Sequence, residues 1–210
     1  MGSDIPKQFL LLDGKPVLMH TIRAFGLAVP EASIVVAIPA SFFDRWEELR
    51  VGYGPDLAHQ VVAGGETRFH SVKNALLTLP NEGLVAVHDG ARPLVSSELI
   101  VRSFASAELA DNAVPTVPVR ESLREKMIGG NRPVDRSLFR LVQTPQVFQL
   151  ADLQSAYRQP YRPEFTDDAT VMESAGFSIN LIDGETWNLK ITTPEDMVIA
   201  QALMTRSFQR

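Results

Sequence analysis

The chain has 210 residues, 45% of them apolar and 21% charged, which is long enough for one domain, residues 1–210, with a core of its own. The formal net charge of −5 argues against a nucleic-acid polymer as partner but allows a local basic site for small phosphates. The sequence has no cysteine, which excludes disulfides and thiolate zinc sites. Since it has neither an apolar run of about 20 residues nor an amino-terminal signal pattern, we expect a cytoplasmic protein that does not enter membranes.

Short β-rich runs alternate with helical patterns in the first part of the chain. The runs cover residues 34–38, 61–63, 84–87 and 113–119. After the second run, apolar residues spaced i, i+3, i+4 and i+7 from Val72 predict one apolar helix face. Strands that alternate with helices imply βαβ units, and continuous apolar strands suit a sheet covered on both faces. The sequence therefore predicts an α/β fold with a mostly parallel sheet flanked by helices.

The alternation breaks over residues 120–140. The segment begins with a strongly charged run, residues 120–126, and Gly129-Gly130-Asn131 is a strong turn signal. These features predict a protruding hairpin, a β-arm that leaves the core. A lone hairpin is only marginally stable, so we expect the arm to pack on something, such as a second subunit. A mobile loop is the alternative.

The last third of the chain returns to regular structure. Alternating apolar residues at 177, 179 and 181 predict a strand, followed by a turn and a second strand around residues 189–191. Thr193 followed by Pro194 and two acidic residues predicts the start of a helix. A charged Lys190 between apolar neighbours of a strand would be costly unless it is paired or binds an anion.

The stretch from His88 to Pro93 is the most informative candidate for a ligand site. Asp89 follows an apolar strand, and a carboxylate there can hold a divalent cation or a substrate hydroxyl. Gly90 lets a ligand approach the backbone, and Arg92 offers a forked donor for phosphate. Ligands gather at the carboxyl ends of strands in open α/β sheets, although a turn with a surface arginine would explain the same residues.

Further candidate residues lie at other predicted strand and helix ends. Lys7, before an apolar run, can stabilise phosphoryl charge, although a solvated lysine is the commoner case. Gly65, at the start of a helix, offers free backbone N–H groups, but the spacing is not that of a Walker A loop. Gln143-Thr144 before a proline indicates either specific hydrogen bonding or a satisfied core turn, and Thr166 has the pattern of a helix N-cap.

Taken in order, these motifs resemble the 2-C-methyl-D-erythritol 4-phosphate cytidylyltransferase family. The motifs that carry the resemblance are Pro6-Lys7-Gln8, Gly64-Gly65-Glu66-Thr67-Arg68 with Ser71, His88-Asp89-Gly90-Ala91-Arg92-Pro93, Val117-Pro118-Val119-Arg120, Val134-Asp135-Arg136, Thr144-Pro145-Gln146, Thr166-Asp167-Asp168-Ala169 and Asn188-Leu189-Lys190-Ile191-Thr192. The resemblance implies a Rossmann-like nucleotidyltransferase fold and a homodimer joined by the β-arm. It also implies CTP and a sugar-alcohol phosphate as substrates and a divalent metal, usually Mg²⁺, as cofactor. The implied reaction is CMP transfer to 2-C-methyl-D-erythritol 4-phosphate, with release of pyrophosphate, in non-mevalonate isoprenoid biosynthesis.

The resemblance also implies roles for the residues around the reacting phosphates. Lys7 would stabilise the α-phosphate as pyrophosphate leaves, and Arg136 and Lys190 would hold the methylerythritol phosphate for in-line attack. Asp89 would lie near the metal or a substrate hydroxyl. Arg92 would line the junction between the nucleotide and the sugar phosphate.

Other matching positions would bind the rest of the two substrates. Cytosine and ribose would contact Gly65, Glu66 and Ser71, with Arg68 supporting their loop. The remaining substrate-binding positions that the resemblance implies are Gly90, Ser122, Thr144 and Thr166. Because Ser122 and Arg136 lie on the side of the β-arm, we expect them to reach the site of the partner subunit.

The chain departs from the family pattern at its amino terminus. The family begins with a strand and a Gly-rich loop that cradles the triphosphate and carries a transition-state arginine, and Met1 stands just after that arginine's expected place. Milder departures are Gly90, where alanine is usual, and Ser122, where threonine is usual. Two alternatives are a ribitol 5-phosphate cytidylyltransferase and an inactive remnant that only dimerises or binds ligand.

Overall fold

The computed structural model describes residues 6–54 and 58–207. The helices in this part are α1 (Val17–Ala28), α2 (Phe43–Tyr53), α3 (Arg68–Leu76), α4 (Ser97–Ala110), α5 (Leu150–Ala156), α6 (Asp168–Ser174) and α7 (Pro194–Ser207). The strands are β1 (Leu11–Leu12), β2 (Lys15–Pro16), β3 (Val35–Ile38), β4 (Gln60–Ala63), β5 (Leu84–Val87), β6 (Asn112–Pro118), β7 (Leu123–Met127), β8 (Gly130–Val134), β9 (Arg140–Val142), β10 (Gln146–Gln149) and β11 (Leu181–Asp183). None of the described helices is long and apolar enough to cross a membrane. The amino-terminal residues 1–5, on which the expectation about a secretion signal falls, lie outside the described residues.

The largest sheet among the described residues has five strands. Its order is β11-β6-β10-β5, and β9 also pairs with β6. β11 runs parallel to β6, whereas β10 is antiparallel to both of its neighbours and β9 is antiparallel to β6. β3 and β4 form a separate parallel pair. The α/β class is confirmed, but the sheet is mixed, which corrects the expectation of a mostly parallel one.

The path of the chain after β6 explains the mixed sheet. The chain passes through β7 and β8 and then runs back along β6. On this return β9 pairs with residues 116–118 and β10 with residues 112–113. Strands formed on such a return are necessarily antiparallel to the outgoing strand. Buried apolar residues show that β10 is a central strand, but they carry no information about its direction.

Two aromatic clusters anchor the segments that carry candidate site residues. Phe69 of α3 stacks on Tyr157, with ring centroids 4.7 Å apart, in a core formed with α5, α6 and the larger sheet. Phe9 stacks on the buried Trp46 at 5.9 Å in a second core beside α1 and β3. Fully burying a large apolar side chain contributes about 1.5–3 kcal/mol. Because Phe9 and Phe69 lie within two residues of Lys7 and Arg68, this packing also limits where those cations can lie.

The carboxy-terminal third contains less strand than its sequence pattern predicts. β11 begins only at Leu181, and neither residues 177–180 nor residues 189–191 form a strand. Lys190 therefore lies in an irregular segment. Its neighbour Ile191 is fully buried and donates its N–H to the carbonyl of Ala91 at 2.8 Å, which fastens this segment to the loop after β5.

Of the two helix starts predicted from sequence, the one at Thr193 is confirmed and the one at Thr166 is wrong by one residue. Thr193 accepts a hydrogen bond from the N–H of Asp196 at 3.4 Å, as expected at the start of α7. At α6 the N-cap is Asp167, whose Oδ1 accepts from the N–H of Thr170 at 2.9 Å, so Thr166 is not the cap. The next residue offers a carboxylate, which caps at least as well as a hydroxyl, and helix boundaries read from sequence often miss by one residue.

A hairpin occupies much of the predicted β-arm. β7 and β8 pair in antiparallel register from Leu123↔Val134 to Met127↔Gly130. Gly129 at the turn has a φ of +84°, a left-handed conformation that favours glycine. Nearly all residues of the hairpin are exposed to solvent.

Candidate active site

The end of β5 leads into a tight loop from Asp89 to Arg92. The N–H of Arg92 donates to the carbonyl of Asp89 at 3.0 Å. A Cβ at Gly90 would lie 2.9 Å from Cδ1 of Leu18 in α1, so a very small residue suits this position. The loop is therefore held between α1 on one side and the segment that precedes α7 on the other.

The carboxylate of Asp89 contacts three cationic side chains: Arg92 of its own loop, and Arg68 and Lys190 from distant parts of the chain. Lys190 Nζ lies 3.0 Å from Oδ2, Arg92 Nε lies 3.3 Å from Oδ2, and Arg68 Nε lies 3.4 Å from Oδ1. Burial alone would raise the pKa of Asp89, but the three cations, Lys190 most strongly, outweigh burial and lower the pKa to about 2. Asp89 is therefore ionised at neutral pH and holds the three cations at the carboxyl end of β5.

Arg68 also binds a second carboxylate, which is fully buried. Arg68 Nη2 lies 2.5 Å from Oδ2 of Asp168, and Oδ1 of Asp168 accepts from the hydroxyl of Tyr157 at 2.6 Å. Burial works to lower the pKa of Arg68, but the neighbouring aspartates raise it above its usual value. Burial and Asp168 together raise the pKa of Tyr157. Arg68 thus joins the starts of α3 and α6 to Asp89.

Lys7 brings a fourth cation to this region. Partial burial and the charge of Lys190 lower the pKa of Lys7, while Asp89 acts in the opposite direction. Burial likewise lowers the pKa of Arg92, despite its contact with Asp89. Cations that repel one another in a partly buried site favour a phosphate group, whose charge would relieve the repulsion. We call these five residues, Lys7, Arg68, Asp89, Arg92 and Lys190, the Asp89 cluster.

The glycine-containing loop between β4 and α3 lies beside this cluster. The N–H of Gly65 donates to Oγ of Ser71 at 3.0 Å, and this hydroxyl donates to a backbone carbonyl at the start of α3 at 3.0 Å. A Cβ at Gly65 would lie 2.3 Å from Cβ of His70, so only glycine fits there. Glu66 is exposed at the tip of the loop. Arg68, the first residue of α3, directly follows this loop and therefore connects the loop to the Asp89 cluster.

Thr144 meets the Asp89 loop from the sheet side. Its Oγ1 accepts from the N–H of Asp89 at 3.1 Å and lies 3.1 Å from Nδ1 of His88. Its carbonyl accepts from Nδ2 of Asn188 at 2.8 Å, and the carbonyl of Asn188 accepts from Nη1 of Arg92 at 2.8 Å. The buried Asn188 therefore ties the Thr144 segment to Arg92.

Three predicted site residues lie outside this arrangement. Ser122 and Arg136 are exposed on the side of the β-arm, where the Arg136 guanidinium donates to the carbonyl of Arg120. Thr166 is exposed just before α6. Within the described ranges, no hydrogen bond or ion pair joins any of the three to Asp89. Their contacts with substrate therefore stay predictions.

The sequence motifs include three residues that support the cluster but indicate no individual role for them, namely His88, Asp168 and Asn188. An acid at position 168 is already explained by the positive end of the α6 dipole, which hides its second use as a partner of Arg68. A signal was present for Asn188, a polar residue that stands between the apolar Trp187 and Leu189 and two residues before Lys190.

The arrangement does not by itself form a metal site. In the part of the chain that the structure describes, no group of three or more histidine or acidic side chains is placed to hold a metal ion. Both carboxylate oxygens of Asp89 already contact cationic nitrogens. A metal at Asp89 would have to displace at least one of these cations, so the cluster as it stands does not fit a metal held by protein ligands. The contact between Asp89 and a metal stays a prediction.

The chain is similar to known proteins over almost its entire length. A family model described as 2-C-methyl-D-erythritol 4-phosphate cytidylyltransferase matches residues 1–206. The proteins of that name from Porphyromonas gingivalis and Bacteroides thetaiotaomicron are 50% and 47% identical to it; the alignments cover 98% and 97% of this chain and 92% and 93% of theirs. The crystal structure of the protein of that name from Thermus thermophilus has a TM-score of 0.80 at 36% identity, covering 95% of this chain and 94% of that one. The chain belongs to the 2-C-methyl-D-erythritol 4-phosphate cytidylyltransferase family.

Proposed function

We propose that the protein transfers CMP from CTP to 2-C-methyl-D-erythritol 4-phosphate and releases pyrophosphate, a step of isoprenoid biosynthesis. The observation that carries this proposal is the Asp89 cluster, in which three cations contact one carboxylate and Lys7 lies nearby. In a member of a cytidylyltransferase family, such a group of cations suits a reaction between two phosphate-bearing substrates.

The proposed reaction forms one P–O bond and breaks another. A phosphate oxygen of the sugar phosphate attacks the α-phosphorus of CTP, and the bond from that phosphorus to the pyrophosphate breaks. The attacking phosphate is ionised near pH 7, since its second pKa is about 6, so no side chain has to accept a proton. The protein then acts by positioning the two substrates and by stabilising charge, which a site rich in cations can do.

The members of the Asp89 cluster divide between the two substrates in this proposal. Lys190 and Arg92 bind the phosphate of the sugar, because both lie on the same carboxylate oxygen of Asp89. Lys7 stabilises the α-phosphate while pyrophosphate leaves. The repulsion from Lys190 that lowers the pKa of Lys7 would be relieved once phosphate groups lie between them.

The loop at Gly65 binds the nucleoside in this proposal. Gly65, Glu66 and Ser71 surround cytosine and ribose, and the rigid closure of the loop by Ser71 supports such a role. Arg68 connects the loop to Asp89, so the nucleoside and the reacting phosphates keep a fixed separation. Gly90, Thr144 and Thr166 complete the sugar pocket.

Magnesium enters this proposal together with the nucleotide. Mg²⁺ is commonly bound by one or two carboxylates together with substrate phosphates and water. Because Asp89 is engaged by cations, the triphosphate oxygens would supply most of the ligands. Bound Mg²⁺ would neutralise part of the triphosphate charge, and no step is assigned to a metal held by the protein alone.

We also propose a homodimer that forms through the β-arm. The segment that follows the hairpin presents large apolar side chains to solvent, namely Leu138, Phe139, Leu141 and Val142, with exposures of 79%, 46%, 53% and 44%. Several large exposed apolar side chains within a short segment are typical of an interaction surface. Ser122 and Arg136 lie on the same arm, so a partner could carry them into the site of the other subunit.

Release of pyrophosphate tests the proposed substrate. The protein is assayed with CTP and Mg²⁺ and with either 2-C-methyl-D-erythritol 4-phosphate or ribitol 5-phosphate. We expect the larger kcat/KM with the methylerythritol compound. Faster turnover with ribitol 5-phosphate would instead favour the ribitol enzyme, which the sequence leaves as an alternative.

Calorimetric titration with CTP and Mg²⁺ tests the second alternative, an inactive remnant. An active enzyme should bind CTP in the micromolar range and also turn it over. A protein that binds CTP but releases no pyrophosphate with either sugar phosphate would support the remnant.

A further inference from the structure

His88 is a titratable side chain to which the proposed reaction assigns no role. It follows the last residue of β5 and immediately precedes Asp89. The imidazole is partly buried, and its centroid lies 5.1 Å from that of Phe25 of α1, in an edge-on arrangement. A partly buried imidazole usually has hydrogen-bond partners within the protein.

Both ring nitrogens of His88 have such partners. Nδ1 lies 3.1 Å from Oγ1 of Thr144, and Nε2 lies 3.3 Å from the carbonyl oxygen of Arg92. A carbonyl oxygen can only accept a hydrogen bond, so Nε2 carries a proton. In neutral imidazole the other nitrogen, Nδ1, is then an acceptor, and the hydroxyl of Thr144 donates to it.

The hydroxyl of Thr144 fits this assignment. It already accepts from the N–H of Asp89 at 3.1 Å, and its hydrogen is therefore available for His88. A single tautomer thus satisfies a chain that runs from Asp89 N–H to Thr144, to His88 and to the carbonyl of Arg92. The chain begins at one end of the Asp89–Arg92 loop and ends at the other.

The surroundings keep the ring neutral. Burial lowers the pKa of His88 to about 4, against the opposing effect of its contacts with the Arg92 carbonyl and Asp89. Arg92 and, from α3, Arg68 also disfavour a positive charge on the ring. The contact from α1 is the uncharged ring of Phe25. At neutral pH Nδ1 is therefore free to accept.

We infer that His88 is a positioning residue: as the Nε2–H tautomer it joins the Thr144 hydroxyl to the Arg92 carbonyl and so fixes the loop between them. This loop carries Asp89, which holds Lys190, and Arg92 itself. His88 touches no substrate in this account. It acts by orienting Asp89 and Arg92, the residues of the loop that belong to the Asp89 cluster.

The same hydrogen bonds determine which contacts the Thr144 hydroxyl can make with a sugar phosphate. This point rests on the proposed function. A threonine hydroxyl offers one donor and two acceptor positions. The donor goes to His88 and one acceptor position to Asp89. Thr144 can therefore accept from a hydroxyl of the sugar-alcohol chain, but it has no hydrogen left for the phosphate.

The tautomer can be measured without any substrate by ¹⁵N NMR of the histidine rings. The sequence has four histidines, and loss of one set of signals in His88→Gln identifies the ring of interest. We expect Nε2 protonated and Nδ1 unprotonated at pH 7. A proton on Nδ1, or a doubly protonated ring at pH 7, would overturn the inference whether or not the protein is active.

Two conservative substitutions separate the two hydrogen bonds. Asparagine at position 88 places an amide oxygen near the position of Nδ1 and can still accept from Thr144. Glutamine reaches the position of Nε2 and can still donate to the carbonyl of Arg92. We expect each to lower kcat/KM for the sugar phosphate by about tenfold, and His88→Leu, which keeps neither bond, by about a hundredfold. The Kd for CTP should change by no more than about threefold.

A space-filling role predicts a different pattern. If His88 only fills a gap, all three variants should lower the melting temperature and leave kcat/KM of the folded protein unchanged, which would overturn the inference. Combining His88→Leu with Thr144→Val should lower kcat/KM by clearly less than the product of the two single losses, because both changes break the same Thr144–His88 bond. If the two losses in kcat/KM multiply in the double variant, the two residues do not act through a shared bond. Wild-type protein without turnover would refute the proposed function, while the NMR result would still decide the tautomer.

Discussion

The Asp89 cluster and the β-arm belong to one chain but are held in different ways. In the cluster, Arg68, Asp89 and Lys190 come from three distant segments, and each segment is fastened to a packed element. In the arm, β7 and β8 pair with each other and, within the described residues, with no other strand. The core of a single chain therefore suffices to place the cations, whereas the strands of the arm rest on each other alone, which suits the arm's proposed role as a dimer contact.

Removing Asp168, the buried partner of Arg68, should lower the free energy of unfolding more than any change on the arm. Asp168→Asn leaves the guanidinium without its fully buried carboxylate, and breaking such a pair costs about 3–5 kcal/mol. Urea denaturation should show a fall of this size in the free energy of unfolding. The matched control is Glu48→Gln, because Glu48 pairs with Arg45 at side-chain exposures of 67% and 53%.

The control should lose less than about 1 kcal/mol, as is usual for an exposed pair. Equal losses in the two variants would mean that Asp168 does not hold Arg68 in the way the structure indicates.

Acid should lower the free energy of unfolding, because the unfolded chain binds a proton at His88 more readily than the folded chain does. Its pKa is about 4 in the folded state, because burial disfavours the charge, and 6.5 is the ordinary value. The unfolded chain therefore binds this proton first. Stability should fall by up to about 3 kcal/mol as the pH drops from about 6.5 to about 4.

Asp89 makes its own contribution at lower pH. Its folded pKa of about 2 lies below the ordinary 3.8, so its contribution is present above that value and is lost as the pH falls towards 2. Urea denaturation at pH 7 and pH 4.5 separates the two residues. Wild-type protein should lose more stability over this interval than His88→Gln, and identical losses would argue against a buried neutral His88.

A charge placed on the arm should leave the fold almost unchanged but prevent association. Leu138→Glu introduces a carboxylate into the exposed apolar patch, and surface changes of this kind usually alter folding stability by no more than about 0.5 kcal/mol. Light scattering after size-exclusion chromatography should show a dimer for the wild type and a monomer for the variant. Leu109→Glu is the control, because Leu109 is 91% exposed at the end of α4, away from the arm.

The control should remain dimeric. A wild-type monomer, or loss of the dimer in both variants, would contradict association through the arm.

Local patterns predicted the parts of the site that depend on short stretches of sequence. An acid, a glycine and an arginine after the apolar strand ending at Val87 correctly indicated a loop at a strand end, and Gly65 does stand at a crowded helix start. Lys190 was expected to need a partner, and it has one in Asp89. For the Asp89 loop and Gly65 the physical reason lies within a few residues of the motif, whereas Lys190 lies outside the predicted strand and its partner is distant in sequence.

The features that sequence did not predict depend on contacts between distant residues. Arg68 and Asp168 are 100 residues apart, so no local pattern pairs them. The direction of β10 follows from the return of the chain along β6, which the four residues of this strand cannot encode. The expected strand around Lys190 is absent because Ile191 bonds to the Ala91 loop instead of to a neighbouring strand.

Pyrophosphate release by Lys190→Ala tests most directly the central claim that the Asp89 cluster binds the sugar phosphate of a cytidylyl transfer. Removing this cation should lower kcat/KM for 2-C-methyl-D-erythritol 4-phosphate by about a hundredfold, while the Kd for CTP changes by no more than about threefold. Lys73→Ala, on α3, is the control, since Lys73 lies over the ring of Phe69 and should leave both constants unchanged. Full activity in Lys190→Ala, or equal losses in kcat/KM and CTP affinity, would contradict the claim.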